Sequence, residues 1–350
     1  MVGGFNIGRR PLGPGRPCYL IAEAGVNHNG SVDLALALVD AAAEAGVDAV
    51  KFQSFVAEEV VTPRAPKAAY QRQNTEAGQS QLEMIKALEL SPAGHQAVRD
   101  RCRERGLAFL STPFDLPSLE LLLSLGAPAL KVSSGEITNL PFLSRVGAAG
   151  LPVILSTGMA DLEEVDAAVR TLKRAGCPGL ILLQCVSNYP ADPADVNLRA
   201  MAAMSEFFSL PVGYSDHTLG IEVALAAAAL GAAVIEKHFT LDRSLPGPDH
   251  QASATPEELR ALVAGVRKVE AALGHGRKEP AASEADTRSV ARRSLVAAMD
   301  IPAGTALTEA MIAIRRPGTG IPPALLPGAL GRVARRDIKA GSLLAWGDLA

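Results

Sequence analysis

Short apolar runs recur through the first three quarters of the chain. Each run is apolar throughout rather than alternating, which is typical of a strand buried on both faces of a parallel sheet. Segments with the periodicity of an amphipathic helix lie between most of the runs. The runs cover residues 19–23, 49–53, 108–111, 129–132, 153–156, 180–184, 212–214 and 234–238.

The helical segments carry recognisable ends. In residues 31–45, Ser31 has N-capping chemistry, and Gly46 follows where a left-handed residue is favoured. Asp161 can cap the helical pattern that follows it, and residues 256–273 form a third such segment. Strands that alternate with helices indicate right-handed βαβ units and a parallel sheet. Eight units in about 275 residues predict a closed (β/α)8 TIM barrel, with an open doubly wound sheet as the alternative.

The pattern changes after the last apolar run. Residues 274–287 are polar and helix-poor at their start, which is typical of a linker. Further on, the motif DIPAGT at residues 300–305 is echoed by DIKAGS at residues 337–342. The repeat predicts a small, pseudo-symmetric, β-rich domain that needs a packing surface. We therefore expect a barrel in residues 1–280, a linker in residues 281–291 and the small domain in residues 292–350.

Composition excludes several classes of protein. The net charge of −3 gives no reason to expect nucleic acid or an acidic membrane as a partner. The apolar stretch at residues 223–235 is too short to span a bilayer, and residues 1–17 lack the apolar core of a signal peptide. The four cysteines show no metal or redox spacing, so we expect reduced thiols in a cytoplasmic protein. Among them, Cys185 is interpreted as a small packing residue.

Every apolar run ends in polar or charged residues. Active sites of such barrels lie at the C-terminal ends of the strands, so these residues predict a functional site at that mouth. His217 and His238 end two neighbouring runs, and their imidazoles can meet over one metal ion. Two ligands leave the coordination shell open, which favours a catalytic ion, while buried core histidines are the alternative. The residues leave zinc, iron, manganese and magnesium open.

Two lysines and one carboxylate are predicted at the same mouth. Lys51 and Lys131 would repel each other if unpaired, so together they indicate an anionic substrate such as a carboxylate or phosphate. Solvated rim lysines are one alternative, and a Schiff-base role is another, because barrel aldolases use a strand lysine. Glu23 is interpreted as a general base or a ligand for a substrate hydroxyl, with an ion pair to a lysine as the alternative.

Two short turns of hydroxyl residues and glycine follow the fourth and fifth runs. They are Ser133-Ser134-Gly135 and Ser156-Thr157-Gly158. Their backbone N–H groups can cradle a phosphate while the hydroxyls add hydrogen bonds. An ordinary strand-to-helix turn explains either motif equally well.

Several separate motifs together resemble the sialic acid synthase family, also called N-acetylneuraminate synthases. The matching segments are AEAGVNHNG, VKFQSF, STPFD, KVSSGEITNLP, ILSTGM, GYSDHTLG, EKHFT and PGPDH. The segment RRSLVAAMDIPAGTALTEAMIAIRRPGTG is similar to the antifreeze-like (SAF) domain that follows the barrel in this family. The resemblance therefore extends over nearly the whole chain.

The resemblance implies a condensation of phosphoenolpyruvate with an N-acetylmannosamine-type sugar, which gives N-acetylneuraminate and phosphate by C–O cleavage. It implies that His217 and His238 bind a divalent ion, for which manganese is expected, with magnesium or cobalt as alternatives. Positions that hold phosphoenolpyruvate are matched by Lys51, Lys131, Ser134, Ser156 and Tyr189. Positions near the metal-bound water or the sugar are matched by Glu23, Gln53, Asn74, Thr112, Glu136 and Asp249. Ser187, in the variable segment CVSNYP, is also assigned to the substrate, and Glu23, Lys51 and Lys131 are assigned catalytic roles.

The resemblance also implies that a second copy of the chain contributes to the active site. Arg316 matches the arginine that the SAF domain contributes to the partner subunit's active site in a domain-swapped homodimer. Such a site would be complete only in the dimer.

Three alternatives to N-acetylneuraminate synthesis stay open. The first is legionaminic or pseudaminic acid synthesis from a diacetamido-trideoxyhexose, and the second is a Schiff-base pyruvate aldolase. The third is a binding protein whose C-terminal domain acts on ice, and the charge of that domain argues against it, because ice-binding faces are uncharged. Its seven arginines are Arg292, Arg293, Arg315, Arg316, Arg332, Arg335 and Arg336.

Overall fold

The computed structural model describes residues 5–8, 10–13, 15–75 and 78–350. Part of the segment for which no signal peptide is expected, residues 1–17, therefore lies outside the described residues. The chain divides into two compact units, Met1–Gly274 and His275–Ala350. The strands are β1 (Phe5–Ile7), β2 (Arg10–Leu12), β3 (Tyr19–Gly25), β4 (Ala49–Ser54), β5 (Ala108–Pro113), β6 (Leu130–Val132), β7 (Val153–Ser156), β8 (Leu180–Cys185), β9 (Val212–Asp216), β10 (Val234–His238), β11 (Ser294–Ala297) and β12 (Ile312–Arg315).

Helices follow or join most of these strands. They are α1 (Val32–Ala45), α2 (Ala57–Val60), α3 (Ala69–Asn74), α4 (Gln81–Ala87), α5 (Pro92–Glu104), α6 (Leu116–Ser124), α7 (Leu140–Ala148), α8 (Leu162–Arg174), α9 (Arg199–Phe208), α10 (Glu222–Ala229), α11 (Pro256–Leu273), α12 (Ala285–Ala291) and α13 (Leu326–Ala329). Among the described helices, none combines the length and the apolar character that a membrane span requires.

Eight parallel strands form the sheet of the first unit, in the order β5-β4-β3-β10-β9-β8-β7-β6. The end strands β5 and β6 lie side by side, so the sheet nearly closes into a barrel. Every residue of β3 is buried, as expected for a strand covered on both faces. Each of the eight strands overlaps one of the apolar runs, and the predicted TIM-barrel fold is confirmed.

The predicted helix caps are present. The Ser31 side chain accepts a hydrogen bond from Leu34 N, and Asp161 accepts from the N–H groups of Glu163 and Glu164. Gly46 has a φ of 82°, the left-handed conformation in which a larger residue would be strained. These local signals fix the helix ends, and the caps at Ser31 and Asp161 end the loops that follow β3 and β7 at the mouth of the barrel.

A hairpin that was not predicted closes the opposite end of the barrel. Strands β1 and β2 pair antiparallel, and Ile7 and Leu12 pack with Tyr19, Ile21 and Leu110 inside the barrel. Burial of such apolar surface stabilises the fold by about 25 cal/mol per Å². Apolar side chains therefore fill the interior at this end of the barrel, and the polar side chains of the interior lie at the opposite end.

The second unit contains the antiparallel pair β11–β12 and its own apolar core. The two halves of the sequence repeat contact each other reciprocally. Asp300 Oδ1 accepts a hydrogen bond from Ala340 N at 2.9 Å. Asp337 Oδ1 accepts one from Ala303 N at 2.8 Å. The predicted β-rich domain with internal pseudo-symmetry is thus observed.

The expected linker lies within the second unit and is partly helical. Residues 281–291, expected to be a linker, contain helix α12, and the limit between the compact units falls at Gly274. The expected domain limits therefore stay a prediction.

Candidate active site

A cavity of about 250 Å³ lies at the C-terminal ends of the barrel strands. Its lining is mostly polar and comes from strands far apart in the sequence, which the barrel topology brings together. Predicted site residues that line it are Lys51, Gln53, Thr112, Lys131, Ser134, Ser156, Ser187, Tyr189, His217 and His238. We refer to this space as the reaction cavity.

The two histidines lie beside each other in the reaction cavity. Their ring centroids are 5.3 Å apart, and the Tyr189 ring is 4.3 Å from that of His217. His217 Nδ1 lies 2.7 Å from the carbonyl oxygen of Val186, so a proton on Nδ1 leaves Nε2 available as a ligand. His238 Nδ1 is buried and has no hydrogen-bond partner among the described atoms. Burial, followed by the charge of His217, lowers the pKa of His238 well below its usual value and keeps this ring neutral.

The histidine pair fits a metal ion with an open coordination shell. Two imidazoles bound to one ion at about 2.1 Å have ring centroids roughly 5 Å apart, which matches the observed separation. A neutral ring with an unpartnered nitrogen is also the state in which imidazole binds a metal. No group of three or more His, Cys, Asp or Glu side chains in the described residues is arranged for a metal. Water and substrate would therefore supply the remaining ligands.

Two buried carboxylates lie against the two lysines. Glu236 is 3.5 Å from Lys51 Nζ and 3.3 Å from Lys131 Nζ, and it accepts a hydrogen bond from Ser215 Oγ at 2.9 Å. Lys51 also forms an ion pair with Glu23, its neighbour across strands β3 and β4. Glu23 thus makes the lysine ion pair that the sequence left open. The lysines are already paired, so an anionic substrate would bind through directed hydrogen bonds more than through net charge.

These charges shift the pKa of their neighbours. Burial lowers the pKa of Lys51 to about 7, with Glu236 opposing the shift and Lys131 adding to it. Burial alone would raise the pKa of Glu236, but the charges of Lys131 and Lys51 lower it well below its usual range. Glu236 is therefore ionised throughout the neutral range, and Lys51 is poised to exchange its proton there.

The turns after β6 and β7 form one polar cradle. Gly158 N donates a hydrogen bond to Ser134 Oγ at 2.9 Å, and Lys131 Nζ donates to Ser156 Oγ at 2.8 Å. A Cβ atom on Gly158 would lie 2.4 Å from Ser187 Oγ, so a larger residue would displace that hydroxyl. The ammonium group and the hydroxyls therefore converge on one space, which suits a phosphate group.

A second cavity of about 250 Å³, which we call the acceptor chamber, adjoins the reaction cavity. The two spaces share Gln53, Phe114, Ser133 and Tyr189. One wall of the chamber is apolar and is formed by Val26, Phe55, Val60, Met84, Ile85 and Leu88. Its described lining contains neither lysine nor arginine. The chamber therefore suits an uncharged molecule with apolar groups.

Two predicted sugar-binding residues lie at the acceptor chamber. Asp249 lines it and is 7% exposed, and Asn74 Nδ2 donates a hydrogen bond to the adjacent Pro248 carbonyl at 3.1 Å. Burial raises the pKa of Asp249 to about 6, and the charge of His217 acts in the opposite direction. A carboxyl group in this state can donate or accept a hydrogen bond near neutral pH.

Replacing Asp249 with asparagine should stabilise the fold above pH 6. Because the folded-state pKa is raised, the ionised carboxylate destabilises the native state once the pH exceeds that value, by about 3 kcal/mol. The gain of Asp249→Asn should shrink as the pH falls from about 6 to about 4 and vanish below, where both states are protonated. Urea unfolding at several pH values measures it. A constant gain at every pH would show that ionisation of Asp249 is not its source.

Glu23 is fully buried against Lys51 and lines neither cavity, and two further predicted site residues lie apart from both. Glu136 accepts a hydrogen bond from Asn139 Nδ2 at 2.7 Å and lines neither space. Arg316 is exposed in the second unit. Their assignment to the substrate stays a prediction.

Two residues of the reaction cavity were not assigned to it from the sequence. Glu236 alternates with His238 on β10, and this spacing of two is the signal that both side chains point into the barrel. Cys185, interpreted as a packing residue, lies 3.8 Å from His217 Nδ1 and 3.6 Å from Ser134 Oγ. Burial would raise the pKa of its thiol, but His217, Ser134 and Lys131 together lower it. No spacing in the sequence indicates those contacts.

Comparison with known families assigns both units. Residues 38–278 match the NeuB family, and residues 292–350 match the SAF domain. The chain is 47% identical to N,N'-diacetyllegionaminic acid synthase of Legionella pneumophila, over 97% of this chain and 96% of that protein. It is 45% identical to the Campylobacter jejuni protein of the same name, over 93% and 98% of the two chains.

A solved structure supports the same relationship. N-acetylneuraminic acid (sialic acid) synthetase from Leptospira borgpetersenii superposes with a TM-score of 0.73 at 38% identity, covering 82% of this chain and 95% of that one. The barrel fold of this chain and the polar residues at its mouth agree with the family match. The chain therefore belongs to the NeuB family, whose members are phosphoenolpyruvate-dependent synthases of nonulosonic acids, and it carries a C-terminal SAF domain.

Proposed function

We propose that this enzyme condenses phosphoenolpyruvate with a 2,4-diacetamido-2,4,6-trideoxyhexose to give a legionaminic acid and phosphate. The sequence favoured N-acetylneuraminate as the product and kept this reaction as the alternative. Two relatives at 47% and 45% identity bear the name diacetyllegionaminic acid synthase, so the alternative is the better supported of the two.

The apolar wall of the acceptor chamber is the observation that carries the proposal. A diacetamido-trideoxyhexose has a methyl group at C6 and a second acetyl methyl group, where N-acetylmannosamine has hydroxyls. Met84 and Leu88 offer such methyl groups an apolar surface, and each buried methyl group contributes about 1 kcal/mol. A 6-phosphorylated sugar would need cations, which the described lining lacks.

The cradle and the two lysines would hold phosphoenolpyruvate. Lys131, with the hydroxyls of Ser134 and Ser156, offers donors to one anionic group, and Lys51 with Thr112 offers donors to the other. Holding phosphoenolpyruvate beside the acceptor sugar converts a bimolecular encounter into a reaction within one oriented pair. C3 of phosphoenolpyruvate then forms a bond to the aldehyde carbon, water adds at C2, and the tetrahedral intermediate loses phosphate by C–O cleavage.

The histidines and Glu23 would serve the acceptor end. His217 and His238 would hold a divalent ion, for which we propose manganese, and that ion would polarise the aldehyde oxygen. Glu23 Oε1 is buried without a hydrogen-bond partner among the described atoms. Such an acceptor suits guiding the water or its proton, and Lys51 at its side can take part in the transfer.

The four cysteines are unpaired, which suits a cytoplasmic enzyme.

A panel of acceptors tests the proposal. We expect phosphate release to be fastest with the diacetamido-trideoxy sugar, slower with N-acetylmannosamine and absent with its 6-phosphate. Met84→Gln should lower kcat/KM for the diacetamido sugar about tenfold, because it places an amide in an apolar pocket. Met201→Gln, a buried methionine on α9, is the matched control and should leave kcat/KM for the sugars unchanged, although the buried amide lowers the stability of the fold. Equal use of all three sugars would contradict the role of the chamber.

We also propose the domain-swapped homodimer, with Arg316 acting in the partner subunit's reaction cavity. Arg316→Ala and Glu23→Gln should each be inactive alone. Co-expressed with different tags, they should form a heterodimer with one intact site and about half of the wild-type turnover. An inactive heterodimer, or a chain that sediments as a monomer, would contradict the action in trans.

A further inference from the structure

A buried ion pair lies behind the two histidines, on strands β9 and β10. Asp216 and Lys237 are register partners, their charged atoms are 2.7 Å apart, and they are 1% and 2% exposed. Asp216 also accepts hydrogen bonds from Tyr214 OH at 3.1 Å and from Thr218 Oγ1 at 2.7 Å. Lys237 donates a second bond to the Thr218 carbonyl oxygen at 2.8 Å. The described lining of the reaction cavity includes none of these four residues.

Stability alone does not account for this pair. Moving two charges out of water costs several kcal/mol per ion, and an apolar pair of similar volume is often as stable or more stable. The residues next to the pair along the two strands indicate a second role for it. Each member directly precedes a histidine of the reaction cavity, His217 after Asp216 and His238 after Lys237.

Strand geometry connects the pair to the histidines. Neighbouring residues of a strand point to opposite faces, so Lys237 faces the helices while Glu236 and His238 face the cavity. The ion pair and its bonds to Thr218 lock the ends of β9 and β10 to each other on the outer face. Sliding one strand past the other would break these bonds and change the 5.3 Å separation of the imidazole rings.

We propose that Asp216 and Lys237 are positioning residues that set the spacing of His217 and His238 for a divalent metal ion. This inference rests on the proposed function, because it takes the histidines as the metal site. Residues that orient metal ligands typically contribute about 10- to 100-fold to metal affinity. Asp216 and Lys237 would act in this way through the backbone.

The test uses the full chain and removes both charges together. Asp216→Asn/Lys237→Met keeps the shape of both side chains and avoids leaving one buried charge alone, which would cost about 3–5 kcal/mol. We expect Mn²⁺ affinity, followed by electron paramagnetic resonance, to fall about 10- to 100-fold. Phosphoenolpyruvate affinity of the metal-free protein and its melting temperature should stay near wild type. Asp300→Asn/Lys339→Met, which removes an exposed ion pair of the second unit, is the control and should retain the Mn²⁺ affinity.

Two results would overturn the inference alone. One is a double variant that binds Mn²⁺ as the wild type does. The other is an equal loss of Mn²⁺ and phosphoenolpyruvate affinity, since that would indicate a general structural role. A wild-type chain that binds no Mn²⁺ would overturn the metal site of the proposed function, and the inference with it.

Discussion

Replacing His217 or His238 with alanine is expected to abolish measurable turnover while phosphoenolpyruvate still binds. The two imidazoles are the nitrogen ligands that the reaction cavity offers to a metal. Polarisation of a carbonyl by a bound ion contributes several kcal/mol to the transition state, so the loss should be at least about 1,000-fold in kcat. Steady-state phosphate release with added Mn²⁺ measures it, and titration calorimetry of phosphoenolpyruvate measures the binding that should persist.

A buried histidine outside the cavity provides the control for this prediction. His95 is 2% exposed and bonds to Ser54 Oγ at 2.8 Å, away from the reaction cavity. The turnover of His95→Gln should therefore depend on metal as that of the wild type does, whatever the substitution does to stability. Full turnover of His217→Ala at limiting metal would contradict the assignment of the metal site.

Replacing Lys131 with methionine is expected to raise the KM for phosphoenolpyruvate about 100-fold, because a charge-assisted hydrogen bond contributes up to about 3 kcal/mol. Lys131 Nζ is the cation of the cradle, 2.8 Å from Ser156 Oγ. The KM for the acceptor sugar should change little. Initial rates at varied phosphoenolpyruvate and saturating acceptor measure the effect.

The single variant also leaves Glu236 with one lysine partner fewer, which lowers stability. Lys131→Met/Glu236→Gln removes that unbalanced charge and should restore the melting temperature without restoring phosphoenolpyruvate binding. Lys173→Met, an exposed position on α8, is the control for the loss of a lysine as such. A double variant that recovers both stability and the wild-type KM would show that Lys131 acts only through the fold.

The barrel could be predicted from the sequence because its signals are local. Each strand is a continuous apolar run, and caps such as Ser31 and Asp161 satisfy backbone groups a few residues away. The hairpin β1–β2 has no such signal, since its strands are three residues long. Only the closed barrel creates the apolar interior that Ile7 and Leu12 fill.

The candidate site shows the same difference between features that local sequence predicts and features that depend on contacts between distant residues. The direction of parallel strands brings His217, His238, Lys51 and Lys131 to one mouth, and this follows from the sequence. The pairing of the lysines does not, because Glu236 lies more than a hundred residues from Lys131 along the chain and reaches it only inside the barrel. The apolar wall of the acceptor chamber is likewise made by separate segments, with Val26, Phe55 and Met84 brought together by folding.

The fate of the bridging oxygen of phosphoenolpyruvate tests the central claim most directly. Phosphoenolpyruvate labelled with heavy oxygen at that position is incubated with the diacetamido-trideoxy acceptor, before and after a chelator removes metal. We predict labelled phosphate, formed together with a nonulosonic acid, only when both acceptor and divalent metal are present. Unlabelled phosphate, or release that continues without the acceptor or without metal, would contradict a metal-dependent condensation by C–O cleavage.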